Sequence, residues 1–185
     1  MIYSWRNKLK YPGDLVEWVA SRPEATFYDI WDETIDPMWL TYLATAWATT
    51  TEILDHTVLA GCAVARLCLP LIPEGDERPR IAIETTEKYI RGEATEVQVI
   101  KARNGVWNAA PDSALTVSNA AAYAISYAVS SHISSHVSST VYWALRAGIE
   151  SQVLCATLRK HLVFERPPRP KGLTIWQRLA EGGDE

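Results

Sequence analysis

The stretch SALTVSNAAAYAISYAVSSHISSHVSSTVYWAL, Ser113 to Leu145, runs for thirty-three residues without an Asp, Glu, Lys or Arg. Inside it the chain repeats in fours: Ser130-Ser131-His132-Ile133, Ser134-Ser135-His136-Val137, Ser138-Ser139-Thr140-Val141. Ile125, Val129, Ile133, Val137, Val141 and Leu145 extend the same step. At 3.6 residues per turn a step of four overshoots by about 40°, so this apolar ridge winds around a helix and asks for neighbours on several sides. The run has no period-two alternation and no turn punctuation, which argues against strands. A membrane span needs ~20 predominantly apolar residues, and the serines, two histidines and asparagine here oppose that. The spacing predicts one long central helix of a soluble protein, with a break near Asn119.

Working outward toward the N-terminus, Pro111-Asp112 separates this helix from one opened by Thr95 and Gln98 in capping-box spacing and running to about Ala109, a reading that Asn104-Gly105 weakens. Before it, Glu77 to Ile90 reads as a helix with Pro79 in its first turn, Ile81, Ile83 and Tyr89 inward, and Gly92 just past its end. Ile53 to Ile72 is apolar on most sides, closed by Pro70 and Pro73, and predicts a second long helix wrapped by others. Asp36 before Pro37 marks a helix to about Thr49 that buries Trp39, Leu40, Leu43, Ala44 and Trp47. Thr26 caps a short helix with Phe27, Ile30 and Trp31, and Asp14 opens another to about Arg22. Toward the C-terminus, Gly148 ends the central helix and Glu150 to Leu162 forms one more. Arg166-Pro167-Pro168-Arg169-Pro170-Lys171 then reads as an extended basic linker before a last helical turn, Thr174 to Glu181. The class is all-α: a single-domain bundle of about seven helices over residues 1–164, with a basic Pro-rich tail at 165–185.

The net charge of -4 is unevenly spread: residues 1–100 carry nine basic and sixteen acidic side chains, residues 101–185 nine and six. An acidic N-terminal face suits a basic protein partner and repels nucleic acid. Cys62, Cys68 and Cys155 show no CxxC spacing and sit among apolar helical neighbours, as buried free thiols in a reducing compartment do. Met1 to Lys10 lacks the apolar core of a signal peptide, so the expected location is cytoplasmic.

Catalytic signatures are sparse. His132 and His136, four apart, share a helix face in the manner of a two-histidine metal half-site, with His56 or His161 as a conceivable third ligand. Ile133 stands where a zinc protease carries its Glu, however, and serine neighbours are poor ligands, so the residues read as structural and no metal is expected. No nucleophile elbow and no phosphate-binding glycine motif is present. The serine hydroxyls are expected to bond carbonyls four residues back. Asp29, Asp32 and Glu33, and Glu84 with Glu87, occupy polar helix sides, with Glu84 and Lys88 in favourable i,i+4 spacing. Arg78, Arg80, Arg91 and Trp107 supply the chemistry that would hold a nucleotide, guanidinium on phosphate and indole on base. The expectation is a non-enzyme without a cofactor.

Gly75-Asp76-Glu77-Arg78-Pro79-Arg80-Ile81-Ala82-Ile83-Glu84, ending at Arg91-Gly92-Glu93, resembles the DxRPRxAIE…RGE segment of a family of small helical immunity proteins of bacterial polymorphic toxin systems. Leu154 to His161 is similar to that family's closing LxxxxRKH helix, and Ala120 to Ala124 with Tyr127-Ala128 echoes its Ala-rich, Tyr-dotted helix. The resemblance spans about Trp39 to His161; the sequence departs where Ser and His replace Ala in the four-residue repeat. It implies a cytoplasmic, non-catalytic protein that binds and blocks a toxin. Phage relatives imply counter-defence, by binding an effector or by soaking up its nucleotide signal. Two expectations follow. In the first, an inhibitory binding protein engages a protein partner, a toxin or defence effector, through Asp29, Asp32, Glu33 and the basic tail. In the second, a sponge holds a small nucleotide ligand in a pocket lined by Trp and Arg, between subunits of a homo-oligomer. A metal-dependent enzyme would rest on His132 and His136 alone.

Overall fold

In the computed structural model the described residues are 13–47, 51–107 and 136–162, and all their regular structure is helical: eight α-helices and one 3-10 turn. The side chains of Trp47, residues 51–54, Trp107 and His136 are outside the described set. Contacts divide the chain into two units, with described residues 13–34 in the first and the remainder in the second.

The first unit holds α1 (Gly13–Ala20) and α2 (Phe27–Glu33). Leu15 and Val19 fall one turn apart on α1 and are both buried. Thr26 starts α2 with a complete capping box. Its hydroxyl accepts from the Asp29 N–H at 3.2 Å, and Asp29 accepts from the Thr26 N–H at 2.9 Å, satisfying two donors that the first turn would leave bare. Phe27 and Trp31, four residues apart, stack at 5.9 Å.

The second unit begins where Asp36 Oδ1 accepts from the Met38 N–H at 2.7 Å, ahead of α3 (Pro37–Trp47). Next come α4 (Thr51–Cys68) with the 3-10 turn Leu69–Leu71, α5 (Arg78–Ile90), α6 (Glu96–Trp107), α7 (His136–Arg146) and α8 (Ser151–His161). Among the described helices the centre belongs to α4, against which α5, α7 and α8 all pack; α3 closes over α7 and α8, and α6 lies along α5. The sequence explains this. Thr57, Val58, Ala60, Gly61, Cys62, Val64, Ala65 and Cys68 are all buried and together cover more than half of the helix circumference. Most are small, so neighbouring backbones come close, while the bulk of the core is supplied from outside by Leu40, Leu43, Ile83, Leu154 and Leu158, all fully buried. Burying each such side chain contributes roughly 1.5–3 kcal/mol.

The uncharged stretch expected to be central is described only from His136 onward, as α7; residues 113–135, including His132, lie outside the described residues. On α7 the buried seam is Val137, Thr140, Val141 and Ala144, while Leu145 is only partly buried. Of the predicted ridge, Val137 and Val141 are buried and Leu145, about 80° further round the helix than Val137, lies toward the edge of this face. On α5 the seam is Pro79, Ala82, Ile83 and Thr86. Ile81 was expected inside, but one residue from Ala82 it is turned about 100° away and is 47% exposed. α6 runs through Asn104-Gly105 without a break.

Two helices stop where glycine takes a left-handed conformation. Gly92 has φ 75°, with Glu93 N–H bonding Lys88 O at 2.8 Å; Gly148 has φ 90°, with Ile149 N–H bonding Ala144 O at 3.0 Å. Both are Schellman closures, which return orphan carbonyls to the backbone. Threonine hydroxyls on other helices bond carbonyls four residues back, Thr34 to Ile30 O, Thr86 to Ala82 O and Thr157 to Val153 O, while the serines at 130–135 for which this was expected lie outside the described residues. Residues 163–185, with the Pro-rich linker, lie outside the described residues.

Candidate functional site

The α5–α6 hairpin gathers three of the sequence-selected residues and more charge than any other described segment. Asp76, in the turn before α5, accepts Arg78 Nε at 2.7 Å and Nη2 at 2.8 Å. Charge-assisted bonds from Arg78 hold the Asp76 carboxyl below its ordinary value. Arg80 bridges Glu77 and Glu84, the latter at 2.7 Å, so Glu84 takes the arginine one turn before it in place of Lys88 one turn after. At the far end Arg91 meets Glu93 at 3.0 Å and holds that carboxyl low as well. α6 opens with the expected capping box, Gln98 Oε1 accepting from Thr95 N–H at 2.7 Å.

These pairs settle what the arginines do locally. Arg78 and Arg91 stand thirteen residues apart along one helix, about 20 Å at 1.5 Å per residue, so the three guanidinium groups do not meet at one phosphate. Each already serves a carboxylate.

Between the two helices lies an open groove of about 330 Å³. Arg78, Ile81 and Thr85 line it from α5, and Gln98, Lys101, Ala102 and Gly105 from α6. Val97, 74% exposed, and Ile100 continue apolar surface along the outer side of α6.

A second cluster joins α4 and α5 at Glu87. Its carboxylate accepts Arg66 Nε at 3.0 Å and Nη2 at 2.7 Å, a bidentate bridge across the α4–α5 contact. Burial first, and then the Glu87 charge, push the Cys62 thiol up to about 12. Burial alone does the same for Cys68. Such thiols are packing groups and not nucleophiles. Cys155, also buried, donates to Ile35 O at 3.3 Å. His161 is pushed below its ordinary value by burial and then by Lys160, with Glu87 acting in the opposite sense.

In the first unit, Asp29 is spent on the capping box, Glu33 meets Arg22 at 3.4 Å, and Asp32 is exposed. His132 and the side chains of His136 and Trp107 lie outside the described residues. Among the described residues no group of three or more His, Cys, Asp or Glu is placed to hold a metal ion, and no helix is long and apolar enough to cross a membrane.

The sequence reading missed the Arg66–Glu87 bridge and the groove. A signal for the first existed: Arg66 is the lone charged residue between His56 and Pro73, and a charge inside an apolar run needs a counter-charge. The groove had none, because it depends on how α6 lies along α5.

Fold and site together define a small all-helical protein in which the Arg66–Glu87 bridge ties α4 to α5 and the α5–α6 hairpin carries an open groove. Residues 50–162 match the family described as "Imm-5 like putative immunity protein", and the chain belongs to that family. The match covers α4 through α8, beginning somewhat later than the resemblance quoted from the motifs. Comparison with curated proteins and with solved structures returns no match.

Proposed function

We propose that this protein is a non-catalytic inhibitor that neutralises a protein toxin by binding it directly in the cytoplasm. The observation that carries the reading is the family match, which extends over α4 and the helices around it. The described chemistry supports it: the carboxylates and guanidiniums of α5 form structural pairs, and Cys62 and Cys68 are protonated packing groups. Three buried free thiols suit a reducing compartment. A defence effector is the alternative target if the gene is carried by a phage.

The test is protection. Bacteria expressing a polymorphic toxin encoded beside this gene are expected to survive when the protein is co-expressed, and the purified pair to bind with affinity that falls as salt screens the charges. Continued killing, with no complex formed at low salt, would sink the proposal. The nucleotide-sponge expectation gains no support from arginines spread along α5, whose guanidinium groups do not meet at one phosphate. Cyclic nucleotides and ADP-ribose derivatives are expected to leave the melting temperature unmoved, where a ligand at 100 times its Kd would add ~2.7 kcal/mol.

A further inference from the structure

The groove between α5 and α6 selects an occupant by its chemistry. Its floor is apolar: Ile81 lies across from Ala102 and Gly105, two residues with little side chain of their own to fill the space. Both charged residues that line it, Arg78 and Lys101, are cationic; no carboxylate does, although the hairpin carries several. Arg78 is also held in place. Asp76 takes its Nε and Nη2, while Nη1 makes no bond within the described residues. A guanidinium fixed on one edge is pre-oriented for an anion on the other. Lys101 is exposed and meets no carboxylate among the described residues. At about 330 Å³ the space lies at the low end of the ~300–1,000 Å³ range of ligand pockets and fits one or two side chains.

Resting on the immunity reading, we propose that this groove docks a segment of the toxin that carries an aliphatic or aromatic side chain close to an Asp or Glu. The apolar side chain displaces water over Ile81 and Ala102, and the carboxylate meets Lys101 and the open edge of Arg78. Charge complementarity fixes the sign of the partner's contribution, and the small α6 residues fix where its apolar group enters.

The experiment pans a displayed random-peptide library on the immobilised full-length protein. Enriched peptides are expected to combine an Asp or Glu with a large apolar residue. Their affinity is expected to fall by about tenfold or more in Ile81→Asp, the scale of one lost contact of about 1.4 kcal/mol. Lys101→Glu is expected to shift selection toward Lys- and Arg-bearing peptides, a gain that mere misfolding would not produce. Lys160→Glu, exposed on α8, should bind as wild type. Enrichment without acidic peptides, or equal binding by the groove variants, overturns the proposal. So does a self-associated species that the same variants dissolve, since a second copy would then be the occupant. In the toxin-protection assay, wild type and both groove variants all protecting removes the groove and leaves the immunity reading standing. A wild type that fails to protect, with acidic peptides still selected, removes the toxin as the source of the segment.

Discussion

Glu87 shows how much one side chain can organise. It accepts Nε and Nη2 of Arg66 across the α4–α5 contact, adds to the burial that raises the thiol of Cys62, and opposes the lowering of His161 on α8. Arg66 is two-fifths exposed, so solvent screening keeps the pair modest. Glu87→Gln is expected to lower stability by ~0.5–1 kcal/mol, measured by urea denaturation. The thiols give a sharper check. With its pKa near 12, Cys62 holds about one thiolate in ten thousand at pH 8. Cys62 and Cys68 are therefore expected to resist a thiol-specific disulfide reagent in the native protein and to react at once in guanidinium chloride. Rapid native labelling of both would show that the α4 core opens readily.

At the scale of the element, helix ends were the most legible part of the sequence. Thr26, Asp36, Thr95, Gly92 and Gly148 all do in the structure what their residue types announce, because caps are local and depend on neighbours within four residues. Thr95→Ala is expected to cost ~1 kcal/mol by removing the capping hydroxyl from the α6 start, and helix-resolved hydrogen exchange should place the loss in the first turn of α6. Faces were less legible. Ile81 was assigned inward on hydrophobicity alone, yet the three-four seam of Pro79, Ala82, Ile83 and Thr86 leaves it on the groove. The reading of Ile53 to Ile72 as a helix wrapped by others holds in α4, whereas residues 113–135 of the uncharged run lie outside the described residues. α4, with its small residues, is the one the described structure surrounds, and Ala65→Leu is expected to destabilise by ~1–3 kcal/mol through overpacking. A stability equal to wild type would show unfilled space beside α4.

For the whole molecule, the pH dependence of stability follows from groups at different depths. The folded pKa of His161 lies below 6.5, so the unfolded chain takes up its proton first as pH falls. Its contribution is intact above about 6.5 and is lost as pH falls from there through the lower folded value. Melting temperature is expected to decline across this window in wild type and less in His161→Asn; parallel curves would contradict the shift. Asp76 is held below the ordinary carboxylate range, so its contribution is present above 3.8 and disappears only as pH falls through its folded value. The all-α class and the family were readable from helix periodicity and the motif around Arg78 and Arg80. The groove was not, because a surface shared by two helices is a property of their docking and not of either text.

The small side chains of α4 have one more consequence. A bundle whose middle is thin and whose bulk is carried inward by its neighbours separates the letters that hold it together from the letters the outside world meets. Among the described side chains of α6 only Val99 and Val106 are fully withdrawn from solvent, and exposed positions usually change stability by no more than about 0.5 kcal/mol. Under the proposed docking, a toxin that alters its own surface could be followed by rewriting Val97, Ile100 and Lys101 one at a time, with the keel of the protein left as it is.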